Sequence, residues 1–146
     1  MSELLIEGLV PELAEKARLH RSIAEHMGID IVFTSGRRTW AEQIEAYGRG
    51  RQRSESGWIV VNPAEIVTFA LPDQAPHCRG AAYDIVPIVA ERMAWGRLDL
   101  FEELGKIGMG IGLVWGGSWR KLKDMPHFEL KEWRSLPPPD ENLNVT

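Results

Sequence analysis

Ala75-Pro76-His77-Cys78-Arg79-Gly80-Ala81-Ala82-Tyr83-Asp84-Ile85-Val86 is the stretch on which the reading of this chain turns. A nitrogen ligand, His77, and an oxygen ligand, Asp84, stand seven positions apart with small residues between them. Ala82 to Val86 reads as a strand, with Asp84 facing opposite to Tyr83 and Ile85. A carboxylate left unpaired among such apolar neighbours is costly, and a cation would satisfy it. Gly80 and Ala82 leave room for close backbone approach. Working outward, the next cluster of the same chemistry is Asp124-Met125-Pro126-His127-Phe128-Glu129. Two imidazoles and one carboxylate suit zinc, and three protein ligands leave a fourth tetrahedral position for the water that a hydrolytic site needs.

Either histidine alone also reads as a partly buried, hydrogen-bonded side chain; only the combination points to a metal. Cys78, on a segment expected to be extended, would point away from His77 and is read as a small apolar filler. Asp124 precedes His127 by three residues, and spacing alone leaves it open between a turn aspartate and a general base held outside the ligand set. Arg38 falls on a strand-to-helix turn, where it is either a solvated arginine or one aimed into a cleft.

The bulk numbers bound the function classes. With 146 residues, 44% apolar and 26% charged, the chain suits one soluble domain with a real core. A net charge of -4 argues against a nucleic-acid binder, and Arg49, Arg51 and Arg53 read as a solvated loop. The single cysteine, Cys78, excludes an internal disulfide. No apolar run reaches the length of a membrane span. The first ten residues carry Glu3 and Glu7 and lack the basic stretch of a signal peptide. Synthesis in the cytosol is the expectation, and any work outside would need another export route.

Helices are expected over Pro11–Met27, over Trp40–Tyr47 behind the Thr39-x-x-Glu42 capping pattern, and from an Asp99 N-cap through Ile107 to a stop at Gly108. His20 and His26 are read as surface or boundary histidines. Strands are expected at Ile29–Thr34, Trp58–Val61, Glu65–Ala70, Ala82–Val86 and His127–Leu130, with Asn62-Pro63-Ala64 as a hairpin connection. In the last strand His127 and Glu129 share one face. Residues 48–57 are expected to form a mobile loop, and Met109 to Trp119 a strand and turn along a groove wall. Residues 1–136 form one domain in this reading, and 137–146, opening on Pro137-Pro138-Pro139, an extended tail.

These residues resemble the zinc peptidases of the D-Ala-D-Ala carboxypeptidase and L-alanyl-D-glutamate endopeptidase family, which includes phage endolysins. The family pattern Ser-x-His-x-x-Gly-x-Ala-x-Asp is met by His77, Gly80, Ala82 and Asp84, with Ala75 in the place of the serine. Its acidic-x-x-His pattern is met by Asp124 and His127, and its Ser-Gly-x-Arg-Ser/Thr element by Ser35, Gly36, Arg38 and Thr39, followed by Gln43. The resemblance spans Ile31 to Leu130. It implies an α+β fold, a small antiparallel sheet with packed helices of the Hedgehog and DD-peptidase kind. It implies one catalytic zinc on His77, Asp84 and His127, with Asp124 as general base and then acid. Arg38 would stabilise the oxyanion or grip a substrate carboxylate, and Gln43 and Trp115 would join it in binding substrate. The implied activity is hydrolysis of the peptidoglycan stem peptide at the L-alanyl-D-glutamate bond by a monomeric phage or prophage endolysin. A D-Ala-D-Ala carboxypeptidase or dipeptidase, and a non-catalytic zinc-containing wall-binding domain, are the alternatives.

Overall fold

The computed structural model describes residues 2–139, so residues 140–146 of the expected tail lie outside the described residues. A short helix α1 (Ser2–Glu7) leads into α2 (Pro11–His26), which starts on a proline whose fixed φ suits the first turn. β1 (Asp30–Ser35) and α3 (Trp40–Gly48) follow. The expected capping box closes the start of α3: Thr39 Oγ1 accepts from the Glu42 amide at 3.1 Å, and Glu42 Oε1 accepts from the Thr39 amide at 2.9 Å. β2 (Arg51–Ser54) and β3 (Gly57–Val60) make a separate hairpin. β4 (Ala82–Val89), β5 (Arg92–Met93), α4 (Leu98–Gly110), β6 (Val114–Trp115) and β7 (His127–Glu129) complete the chain.

The main sheet runs in the order β1-β4-β7-β6, with β5 also on β4, and every pairing is antiparallel. Alternation along β4 and β7 sorts the side chains. Tyr83, Ile85 and Phe128 enter a core shared with Leu13 and Ala17 of α2 and Leu104 of α4. Asp84, His127 and Glu129 take the opposite face. Helix α4 comes close to that core because its facing residues are small. A Cβ on Gly108 would meet the Phe128 ring at 2.3 Å, and one on Gly105 would meet Trp115 at 2.4 Å. The expected α+β architecture is the one observed.

Several local expectations are corrected. Residues 48–57 are no mobile loop but hold β2 and its turn. Arg51 lies 3.8 Å over the Tyr47 ring and donates to the carbonyls of Tyr47 and Thr68, and Tyr47 packs edge-on against Trp58. Polar Arg-Gln-Arg-Ser carries no strand signal of its own, so these contacts decide. Glu65–Ala70 is not a strand. Asn62 instead caps a 3-10 turn at Pro63–Glu65, and the carbonyls of Thr68 and Ala70 go to the side chains of Arg51 and Gln43 rather than to a neighbouring strand. Asp99 is not the N-cap of α4. Arg97 holds that position and grips Asp99 through two bonds of 3.0 Å. Gly108 lies inside α4, which runs on to Gly110.

His20 is no boundary histidine: it is fully buried between α2, α4 and β4. The Leu104 carbonyl can only accept, so Nε2 donates to it at 2.9 Å, and Nδ1 accepts from the Tyr83 hydroxyl at 2.6 Å. Both nitrogens of the neutral ring are thereby satisfied. Burial, only partly opposed by the Leu104 bond, pushes its pKa down to about 4. His26 is exposed, as expected.

Candidate metal centre

The register of the sheet assembles the site. Asp84 of β4 sits directly opposite His127 of β7, and Ala82 opposite Glu129. His77 arrives from a 3-10 turn at Pro76–Arg79, a correction to the extended segment expected there. That turn ends on Gly80 in the left-handed region (φ 66°), where a Cβ would also press on the Val10 amide at 3.3 Å. It buries Cys78, whose sulfur lies 3.8 Å from the Thr39 carbonyl and whose thiol is pushed up to about 11 by burial. Cys78 remains a small filler.

Each imidazole is set in one tautomer by a partner behind it. His77 Nδ1 donates to the Gly36 carbonyl at 2.8 Å, and His127 Nε2 donates to Glu129 Oε1 at 2.7 Å. The free ring nitrogens, His77 Nε2 and His127 Nδ1, then point to Asp84 Oδ1 at 3.5 and 3.4 Å. Asp84 Oδ1 is buried and has no hydrogen-bond partner. Three candidate ligand atoms thus converge, all within 4.8 Å of one another. A tetrahedral ion with ligands at about 2.0–2.1 Å would put neighbouring ligand atoms roughly 3.3–3.4 Å apart, so the donor set fits zinc in kind, and the two separations from Asp84 Oδ1 fit it in size. Burial alone would raise the Asp84 carboxyl, but His127 and His77 outweigh it and hold the group far below the usual carboxylate range. His127 shows the reverse: burial would lower it, yet Asp84 and Glu129 lift it to about 9 in the metal-free site.

The site opens into a cleft of about 900 Å³. Asp124 lines it, its Oδ2 3.9 Å from His127 Nδ1. Burial first, and then the charge of Asp84, raise the Asp124 carboxyl above its ordinary value, which suits a group that must take up a proton and return it. Arg38 reaches the metal face, with Nη2 3.7 Å from Asp84 Oδ2 and Nη1 donating to Gln43 Oε1 at 3.3 Å. Gln43 borders the cleft but is almost wholly buried. Its amide is spent on Arg38, Thr68 Oγ1 and the Ala70 carbonyl, so it positions Arg38 and the cleft wall rather than reaching for substrate.

Trp115 is the expectation that the structure corrects. Its ring packs on Gly105 and Gly117, and its indole N–H donates to the Met125 carbonyl at 2.7 Å, so it lies in the core and not on the cleft. Trp119 lines the cleft instead, 5.3 Å from the His127 ring. Glu129 had drawn no role from the sequence. The signal was present, since a two-residue spacing on a strand puts His127 and Glu129 on one face.

The family described as D-alanyl-D-alanine carboxypeptidase, of the M15 peptidases, matches residues 71–130, the segment that carries all three donors. A curated relative, the peptidoglycan L-alanyl-D-glutamate endopeptidase CwlK of Bacillus subtilis, is 30% identical over 132 residues, covering 84% of this chain and 73% of the relative. The chain belongs to the M15 peptidase family. It is a zinc-dependent peptidase, and its homologues act on peptidoglycan. Among solved structures, the L-Ala D-Glu endopeptidase ChiX of Serratia marcescens superposes with a TM-score of 0.61 at 25% identity, over 88% of this chain and 85% of that one. The zinc-bound vancomycin-resistance D,D-pentapeptidase VanY superposes with a TM-score of 0.60 at 16% identity, over 84% of this chain and 72% of the other, and shows a shared fold. No helix among the described residues is long and apolar enough to cross a membrane.

Proposed function

We propose that this M15 peptidase hydrolyses the stem peptide of peptidoglycan at the L-alanyl-D-glutamate bond, with His77, Asp84 and His127 as the zinc ligands. The observation that carries the reading is the convergence of His77 Nε2, His127 Nδ1 and the unpartnered Asp84 Oδ1, with an acid-base carboxylate, Asp124, beside them. The likeness to two L-Ala-D-Glu endopeptidases supports the choice of bond. When bound, zinc supplies Lewis-acid polarisation of the scissile carbonyl and eases deprotonation of water. The chain's own residues do the rest. Asp124 takes the proton from the attacking water and hands it to the departing amine nitrogen. Arg38, held by Gln43, offers N–H donors to the carbonyl oxygen as charge grows there. Trp119 covers one side of the cleft and limits water beside His127.

Mass spectrometry of fragments from defined muropeptides, with and without a chelator, tests this. The expected result is a new D-Glu N-terminus that disappears on chelation. Release of terminal D-alanine with intact L-Ala-D-Glu bonds would instead establish the carboxypeptidase reading, which the description of the matched family favours. Binding to the wall with no fragment released by wild type or by Asp124→Ala would support a non-catalytic wall-binding domain. A role as a monomeric phage or prophage endolysin, made in the cytosol and released to the wall, rests on the sequence resemblance. Cytosolic expression should then lyse cells only when a membrane-permeabilising partner is co-expressed, and indifference to that partner would discard the role.

A further inference from the structure

The chain as a whole is acidic, yet its cleft is lined by four cationic side chains, Arg38, Lys121, Lys123 and Arg134. The carboxylates on the same lining are Asp84, Asp124 and Glu129, all beside the imidazoles of the metal set. A divalent ion held there leaves the cleft with an excess of positive charge. Arg38 is engaged by Asp84 and Gln43. Lys121, Lys123 and Arg134 are exposed and pair with no carboxylate among the described residues.

The fold anchors the segments that carry these three. Arg134 lays its guanidinium 4.2 Å over the ring of Trp133, which is itself buried. Its carbonyl and that of Leu136 accept from Arg79 Nη1 at 3.2 and 2.8 Å, which fastens the segment to the cleft wall. Stacking fixes the guanidinium plane and leaves its N–H edge for a two-point hold on a carboxylate. Lys121 and Lys123 flank Leu122, whose φ of 53° is uncommon for a residue with a side chain. The loop that bears them is pinned at its neck, because one acceptor, the Gly116 carbonyl, takes both the Trp119 amide at 3.3 Å and the Asp124 amide at 3.0 Å. Two cations are thus carried on a closed loop that ends at the acid-base carboxylate.

We propose that Arg134 and the Lys121–Lys123 loop form a subsite that reads free carboxylates of the substrate, so that the enzyme prefers stem peptides with free acids over the same peptides amidated. The inference rests on the peptidoglycan reading above. In that substrate the leaving amine belongs to D-glutamate, which is linked onward through its γ-carboxyl. Its α-carboxylate therefore stands next to the scissile bond, and in walls whose stem carries a diamino diacid that residue adds a second. Amidation replaces a charge-assisted bond with a neutral one of about half the strength, and it turns N–H donors toward cations that have only donors to offer.

The test measures cleavage and equilibrium binding of three peptides: the free acid, the α-amide at glutamate and the amide at the diamino diacid. The two amides separate the two carboxylate sources. The expected KM for the free acid is lower by about tenfold or more than for the amide at the carboxylate being read. Arg134→Gln, and separately the pair Lys121→Gln and Lys123→Gln, should erase that preference through KM rather than kcat, and rising ionic strength should shrink it. Binding to zinc-free protein should show the same order of affinities. Equal binding and equal KM for all three peptides, with cleavage still at L-Ala-D-Glu, overturns the subsite alone. Cleavage at another bond overturns the bond assignment, while the difference in binding still reads the subsite.

Discussion

Glu129 offers a test of how the metal set is held. Its Oε1 accepts from His127 Nε2 at 2.7 Å, with its side chain only 12% exposed. Loss of such a carboxylate behind a ligating imidazole costs about 10–100-fold in metal affinity, or about 1.4–2.7 kcal/mol. A second effect opposes it. In the zinc-free protein, burial would lower His127, but Asp84 and Glu129 together lift it to about 9. Zinc takes only the neutral ring, so near pH 7 the proton to be displaced weakens apparent zinc binding. Glu129→Ala removes part of that competition along with the orienting bond. The sign follows: above pH 9 the proton is gone and the full 10–100-fold loss remains, while near pH 7 relief of competition narrows the gap. Glu129→Gln keeps an acceptor oxygen and should lose less than the alanine variant. Competitive titration against a chromogenic chelator at pH 7 and pH 9.5 measures both terms, with circular dichroism to verify the fold. No loss of affinity for the alanine variant at pH 9.5 would refute the orienting role. An equal gap at the two pH values would refute the competition.

Asp124→Asn should retain zinc and lose about 10²–10⁴ in kcat, as read by metal analysis beside muropeptide turnover; a variant with wild-type kcat removes Asp124 from the chemistry. His77→Ala and His127→Ala should lose both zinc and activity, and tight zinc binding by either would mean that the ligand set is wrong. Gly116→Ala would put a methyl 2.3 Å from the Asp124 carbonyl, so the Trp119–Asp124 loop must shift; turnover should fall while zinc stays, and unchanged kinetics would show that the neck tolerates movement. His20 carries a pH dependence of stability. Its pKa falls from about 6.5 unfolded to about 4 folded, so the unfolded chain binds more protons between those values. Stability is therefore complete above pH 6.5 and declines by about 3 kcal/mol as pH drops toward 4. Urea unfolding across that window should show a steeper decline for wild type than for His20→Gln, and parallel declines would contradict the buried neutral ring.

Much of the site was legible because the chemistry-bearing residues lie on elements with clear local signals. The period-two alternation at Tyr83-Asp84-Ile85 and at His127-Phe128-Glu129 places side chains on a face without any tertiary information. The capping box at Thr39 and Glu42 likewise declares the helix that carries Gln43. What stayed hidden depends on contacts between distant segments. Trp115 and Trp119 are four residues apart in a glycine-rich stretch, and only the small face of α4 decides which ring enters the core. His20 looks like any polar residue on a helix until the Tyr83 hydroxyl and the Leu104 carbonyl arrive from 63 and 84 positions away. The β2 strand, all polar, exists because Arg51 finds Tyr47 and Thr68.

The metal set and the fold share one determinant, the β4–β7 register. Asp84 opposite His127 means Tyr83 opposite Phe128, and the latter pair is buried with rings 5.8 Å apart. A slip of β7 by one residue would turn Phe128 out of the core, leaving Tyr83 without its partner, and at the same time put Asp84 and His127 on opposite faces. The hydrophobic side of the strands therefore enforces the polar side and brings Asp84 and His127 together. His77 is the one proposed ligand outside that lock. It depends on the turn that ends at Gly80 and on the Gly36 carbonyl behind its ring. Changes at Gly80 or Gly36 should thus loosen one ligand of three, whereas changes at Tyr83 or Phe128 should undo the sheet and the metal site together.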